Sequence, residues 1–195
     1  MFRINESGRA AHGTRPADET ETMTMSVTQQ AFRAAMSHLA AAVNIITTDG
    51  VAGRGGMTAS AVCSVTDAPP TLLTCINHSA RLNAMIKQNG VFGVNVLAAA
   101  HQDISGLFAN NKEEMEARFS MGAWSRLTTG APVLDEAPVS FDCSVTQVVE
   151  AGTHTIFLGE VVGLRVTEGE PDGLVYFRRG YRQIVTMQGG ILPGA

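Results

Sequence analysis

The chain has 195 residues, with 14 Lys and Arg against 18 Asp and Glu, a formal net charge of -4 and a pI of about 5.7. At 45% apolar and 16% charged, it can bury a core without disulfide or metal staples and is no disordered chain. The acidic balance argues against a broad nucleic-acid surface, and no run reaches the roughly 18 apolar residues of a membrane helix.

Residues 1–25 are polar and aperiodic and read as a mobile tail, followed by one domain over 26–190. The tail lacks the apolar core of a secretory signal, so a cytoplasmic location is expected. Thr28 can cap a helix, and Phe32, Ala35, Met36 and Leu39 continue it at three- and four-residue spacing to about residue 41. The period then falls to two. Residues 43–48 read as a strand, Asp49 and Gly50 as a turn, and 57–66 as a second strand of small alternating residues stopped by Pro69 and Pro70.

A third strand is expected over 72–76, then a helix over 80–88 that Asn89 and Gly90 terminate. A fourth strand covers 91–97, with short helices over 101–108 and 113–119. Residues 120–137 look like loop. The last third reads as strand over 139–149, 154–166, 174–177 and 181–185. Sequential strands with a few inserted helices predict a mainly β protein with peripheral helices, a closed or half-closed antiparallel barrel.

The chemistry is at first defined by what is missing. Cys63, Cys75 and Cys143 have no C-x-x-C spacing and read as buried small apolar residues; the five histidines have no ligand spacing, so no metal site is expected. Gly50, Gly53, Gly55 and Gly56 lead into a strand, not a helix, which makes them a hairpin connection instead of a dinucleotide loop. No phosphate loop, zinc-protease or nucleophile-elbow motif occurs. Hydride transfer between two cofactor rings would leave such a blank, because the cofactors carry the electronics and the protein has only to hold two flat rings face to face.

Four segments suit that task, each with a bland alternative. Thr58, Ala59, Ser60 and Ala61 offer short side chains and hydroxyls to a flat ring, or form a closely packed strand pair. Asn77, His78, Ser79, Ala80 and Arg81 open a helix whose amides attract a phosphate, or form an ordinary cap. Gly152, Thr153 and His154 stand at the mouth of a cleft, or at the surface. The run from Tyr176 to Tyr181 stacks a ring and binds phosphate, or forms a strand with snorkelling arginines.

The stretches AAVNIITTDG (41–50), GMTASAVCSVTDAPPTLLTCIN (56–77), GVFGVNVL (90–97), MEARFS (115–120), VSFDCSV (139–145), GTHTIFLGEV (152–161) and GLVYFRRGYR (173–182) resemble the short-chain flavin reductase family. These are the reductase components of two-component flavin-dependent monooxygenases. The chain is similar to the 4-hydroxyphenylacetate and chlorophenol monooxygenase reductases and to the flavin reductase of pyrimidine utilisation. The resemblance implies a flavin-binding split barrel and a homodimer. It further implies NADH-dependent reduction of FAD or FMN, and release of reduced flavin to a separate oxygenase. By position it places Thr58, Ala59, Ser60 and Ala61 against the flavin ring, and Asn77, His78, Ser79, Arg81 and Asn83 on the phosphate side. His154 would position NADH, and Tyr181 and Arg182 lie near the ring. Two departures stand out. Ala80 follows Ser79 where many relatives continue with serine, which leaves Arg81 as substitute donor, and Thr153 replaces an acidic residue beside His154. A flavin- or heme-binding protein without catalysis is the alternative on the same barrel.

Overall fold

The computed structural model describes residues 26–169 and 171–185. The expected tail at 1–25 and the end of the expected domain lie outside them. Helix α1 spans Gln29–Met36, then come β1 Ala41–Ala42, β2 Asn44–Thr48, β3 Gly55–Ala59, β4 Val62–Asp67, β5 Pro70–Asn77, α2 Arg81–Asn89 and β6 Val91–Val96. A helical turn at Ala99–His101 enters α3 Gln102–Ala109, followed by α4 Met115–Ser120, β7 Trp124–Arg126 and β8 Pro132–Leu134. The long β9 Val139–Ala151 and β10 His154–Val166 precede β11 Gly173–Phe177 and β12 Gly180–Ile184.

Seven strands form one antiparallel sheet in the order β3-β2-β6-β9-β10-β5-β4. β3 and β4 therefore sit at opposite edges, yet only Ser60 and Ala61 join them. A flat sheet of this order would part its edges by about 29 Å at ordinary strand spacing. Three Cα steps span at most about 11 Å. The sheet must roll until its edges nearly meet, while β3 and β4 stay unpaired. The result is a split barrel whose seam is the pair Ser60 and Ala61. Val62 N–H bonds Ser60 O at 3.1 Å, and Cys75 N–H bonds Ala61 O at 3.0 Å, which pins the seam to β5.

Alternation along β2 divides the core. Ile46 turns inward with Phe92, Val94, Cys143 and Phe157, and α2 closes that end of the barrel with Leu82 and Ile86. Ile45 turns outward to Leu97, Ile104, Phe108 and Phe119, under α3, α4 and the β7–β8 ribbon. Gly159 is dictated by this packing: a Cβ there would stand 2.5 Å from the Phe92 ring and 2.9 Å from Cys143 Cβ. A second sheet, β1-β11-β12, lies beside the barrel.

The structure departs from the sequence expectation in four places. The second strand does not run through 57–66, but breaks at the seam. Residues 120–137 hold two short strands, stabilised because Trp124 packs on Phe108 and Phe119 with ring centroids 5.5 and 4.9 Å away. Helix α1 stops at Met36, since residues 41 and 42 pair with β11, and its apolar stripe is uncovered: Phe32 is 56% and Met36 45% exposed. Of the cysteines only Cys143 is buried, its thiol pushed up to about 12 by burial; Cys63 is exposed on the edge strand and Cys75 half-buried. By contrast, α2 ends as expected, with Gly90 in the left-handed region at φ 71° and its N–H on Ile86 O at 2.9 Å.

Candidate functional site

The seam and the loop before α2 lie close together. β10 runs beside β5 with His154 opposite Asn77, and Cys75, two residues back along β5, holds Ala61. Two residues of strand are about 7 Å. The fold thus gathers the small-residue segment, the loop before α2 and His154 around one corner of the barrel.

Ser60 and Ala61 are exposed and form the floor of a groove of about 890 Å³ between α1 and the β11–β12 hairpin. Beyond β3 a second groove of about 340 Å³ is lined by Gly56, Met57, Ser79, Arg81, Lys112 and Arg118. Residue 80 is the N-cap of α2 and, as alanine, supplies no side-chain cap. Asn83 N–H bonds Ala80 O at 2.9 Å, which leaves the Arg81 and Leu82 amides for an anion, with the positive end of the helix dipole behind them. A phosphorylated ligand with a flat head fits this donor set: short exposed side chains for the ring, helix amides with Ser79 and Arg81 for the phosphate. Among the described residues, no group of three His, Cys, Asp or Glu side chains could hold a metal ion.

Several expected residues turn out to be committed to the scaffold. Thr58 Oγ1 donates to Ser105 O at 2.6 Å, and Ser105 Oγ bonds Tyr181 OH at 2.8 Å, so Thr58 and Tyr181 are tied through α3. Asn83 is buried, its Nδ2 donating to Ile76 O at 3.0 Å and Thr155 Oγ1 at 2.9 Å. Asn77 Oδ1 accepts from Ser79 N–H and Oγ–H, each at 2.8 Å, and shapes the loop. Arg182 folds back on its own strand, Nη1 to Tyr181 O at 2.6 Å. His154 is exposed, its Nδ1 2.9 Å from Thr153 Oγ1. Ser105 was not foreseen, although a serine between Ile104 and Phe108 on the buried face of α3 is the kind of polar residue that has a specific partner.

Glu150 also escaped the sequence reading. It accepts from Lys87 Nζ at 2.6 Å, from Thr155 Oγ1 at 3.0 Å and from His78 Nε2 at 2.7 Å. Hydrogen bonds from Lys87 and Thr155, and then His78, hold its carboxyl down at about 2, against partial desolvation. The folded value lies below the usual 4.5, so its contribution to stability is present above about pH 4.5 and is lost as pH falls toward 2. Glu150→Gln is expected to melt below the parent at pH 7, with the gap closing between about pH 4.5 and 2. A gap that persists at the acid end in calorimetric scans would exclude this origin.

The rolled sheet with an open seam, beside an uncapped helix, is a split barrel. The chain belongs to the flavin reductase like domain family, whose model matches residues 36–185. It is similar to the FMN reductase (NADH) RutF of Serratia proteamaculans (strain 568), at 51% identity over 167 residues, covering 86% of this chain and 94% of that protein. Among solved structures it is similar to BorF, the flavin reductase component of a bacterial two-component tryptophan halogenase. That match has 30% identity and a TM-score of 0.76, and covers 82% of this chain and 100% of that one. A further match is the Streptomyces globisporus C-1027 NADH:FAD oxidoreductase SgcE6 in complex with NAD and FAD fragments, at 26% identity, TM-score 0.73, and 80% and 92% coverage.

Proposed function

We propose that this protein reduces free FMN or FAD with NADH and releases the reduced flavin to a separate flavin-dependent oxygenase. The observation that carries the reading is the seam, where two exposed small residues interrupt a barrel between an open groove and an uncapped helix N-terminus. Bound at the seam, flavin would supply a ring that accepts hydride from NADH. The chain's own work is positional. Ser60 and Ala61 leave room for the ring, Ser79 and Arg81 with the first α2 amides hold its phosphate, and Thr58 and Tyr181 stiffen the floor through Ser105. His154 is assigned to positioning NADH, and no side chain is assigned proton transfer.

Names of relatives favour NADH over NADPH and FMN as the substrate. A homodimer in the cytoplasm completes the proposal. The homodimer is supported by the exposed apolar side chains Val162, Leu164 and Val166 on β10. No helix among the described residues is long and apolar enough to cross a membrane.

The test is NADH oxidation followed at the nicotinamide absorbance, with FMN, FAD and riboflavin in parallel and NADPH beside it. Flavin uptake without NADH consumption would leave only a binding protein. His154→Ala is expected to raise KM for NADH about fivefold, the worth of one hydrogen bond, and KM for FMN by less. Equal KM values in mutant and parent would remove His154 from the site.

A further inference from the structure

We propose that the groove between α1 and the β11–β12 hairpin holds the diphosphate of the dinucleotide reductant, with Arg33 and Arg179 as its ligands. The proposal rests on the reading above and adds the place where the body of NADH lies. The groove, about 890 Å³, is of the size that takes a nucleotide-scale ligand. Arg33 lines it from α1 and Arg179 from the hairpin tip, together with Gln29, Gln30, Tyr176 and the seam residues Ser60 and Ala61.

Charge selects the occupant. The chain is acidic overall, at -4, yet among the described residues no carboxylate lines this groove. Arg54, Arg126 and Arg165 are spent on ion pairs with Glu116, Asp49 and Asp135. Among the described residues neither Arg33 nor Arg179 makes one. Two unpaired guanidiniums on one cleft, with polar amide side chains beside them, suit a diphosphate. The exposed ring of Tyr176 and the thioether of Met36 offer apolar surface to a base.

The hairpin tip gives an independent sign. Arg178 and Arg179 both stand in the left-handed region, at φ 49° and 62°. That two-residue turn suits asparagine and glycine, and arginine there is strained. Arg178 N–H bonds Ser37 O at 2.6 Å, which fixes the tip against the end of α1. The turn therefore fixes the backbone of Arg179 beside the end of α1, the helix that carries Arg33. The flavin phosphate is assigned to Ser79 and Arg81, which line the other groove. A dinucleotide held by Arg33 and Arg179 would direct its nicotinamide end to the seam between the two.

ADP-ribose, the dinucleotide without its nicotinamide, is the probe. In the full-length protein it should bind by calorimetry, compete with NADH and leave FMN titrations unchanged. The double replacement Arg33→Ala with Arg179→Ala should raise KM for NADH about twentyfold and abolish ADP-ribose binding, because two charge-assisted contacts are lost. FMN affinity and melting temperature should stay as they were, since both side chains are exposed. The paired lysine variants should fall between. Unchanged NADH kinetics and ADP-ribose binding would overturn the proposal. So would weakened FMN binding, which gives the groove to the flavin, or a change of oligomeric size in light scattering without an NADH effect, which gives it to a second copy. A parent enzyme that reduces no flavin would defeat the functional reading instead, while the ADP-ribose titration would still judge the groove.

Discussion

Ser60→Leu is expected to weaken FMN binding about a hundredfold and leave the melting temperature unchanged. Ser60 is exposed, and its carbonyl, not its side chain, makes the local hydrogen bond, to Val62 N–H at 3.1 Å. Folding therefore has little stake in the hydroxyl. A flat ring at the seam has a large one. Leucine puts three carbons where serine has one oxygen, and overfilling a close contact costs about 1–3 kcal/mol. At about 1.4 kcal/mol per tenfold, the upper part of that range is the predicted loss. Ala61→Ser serves as the tolerated control, because it adds one small atom. Fluorescence quenching of FMN on titration with protein measures both. If the leucine variant binds FMN as tightly as the parent, the ring lies elsewhere and the seam is only a structural joint.

How far the sequence speaks depends on whether a boundary is local. The end of α2 is local: Asn89 and Gly90 carry their own backbone preference, and the helix stops where they stand. The β9–β10 hairpin is equally legible, since two long alternating runs flank a turn with Gly152 at φ 57°. The break at Ser60 is the opposite case. Small residues alternate straight through it, and only the rolled sheet decides that Ala59 ends one edge and Val62 begins the other. The strands β7 and β8 are too short for a period, and exist because the Phe108, Phe119 and Trp124 rings need a cover.

The site divides the same way. The candidate segments were readable, as short side chains and a helix start are visible in one dimension. The roles were less so. Asn83 reads as a ligand beside a phosphate loop, and it is a brace under that loop. Glu150 and Ser105 carry no motif, because their partners lie tens of residues away: Lys87 for the first, Thr58 and Tyr181 for the second. The arginines at 178 and 179 were visible as a cluster, but their left-handed turn and its hold on α1 were not.

Asn83→Leu is expected to lower stability by about 2–4 kcal/mol and to weaken FMN binding more than riboflavin binding. The side chain is 4% exposed, and leucine nearly matches its volume, so packing changes little. What is lost is donation to Ile76 O and Thr155 Oγ1, both cut off from water at this point. Each buried acceptor left without its Asn83 donor costs about 1–3 kcal/mol. For a chain of this size that shift lowers the melting temperature by about 5–15 °C. The damage should also travel. Thr155 Oγ1 donates to Glu150 Oε2, and Glu150 in turn holds Lys87 on α2 and His78 in the loop. Ile76 is the residue before Asn77, whose side chain shapes the turn at Ser79. Loosening this knot should disorder the donors to a phosphate and leave the ring floor at Ser60 and Ala61 as it was. Riboflavin, which has the ring and no phosphate, separates the two effects. An Asn83→Leu protein that loses both ligands in equal proportion, or loses neither, would mean that the loop before α2 does not bind the phosphate.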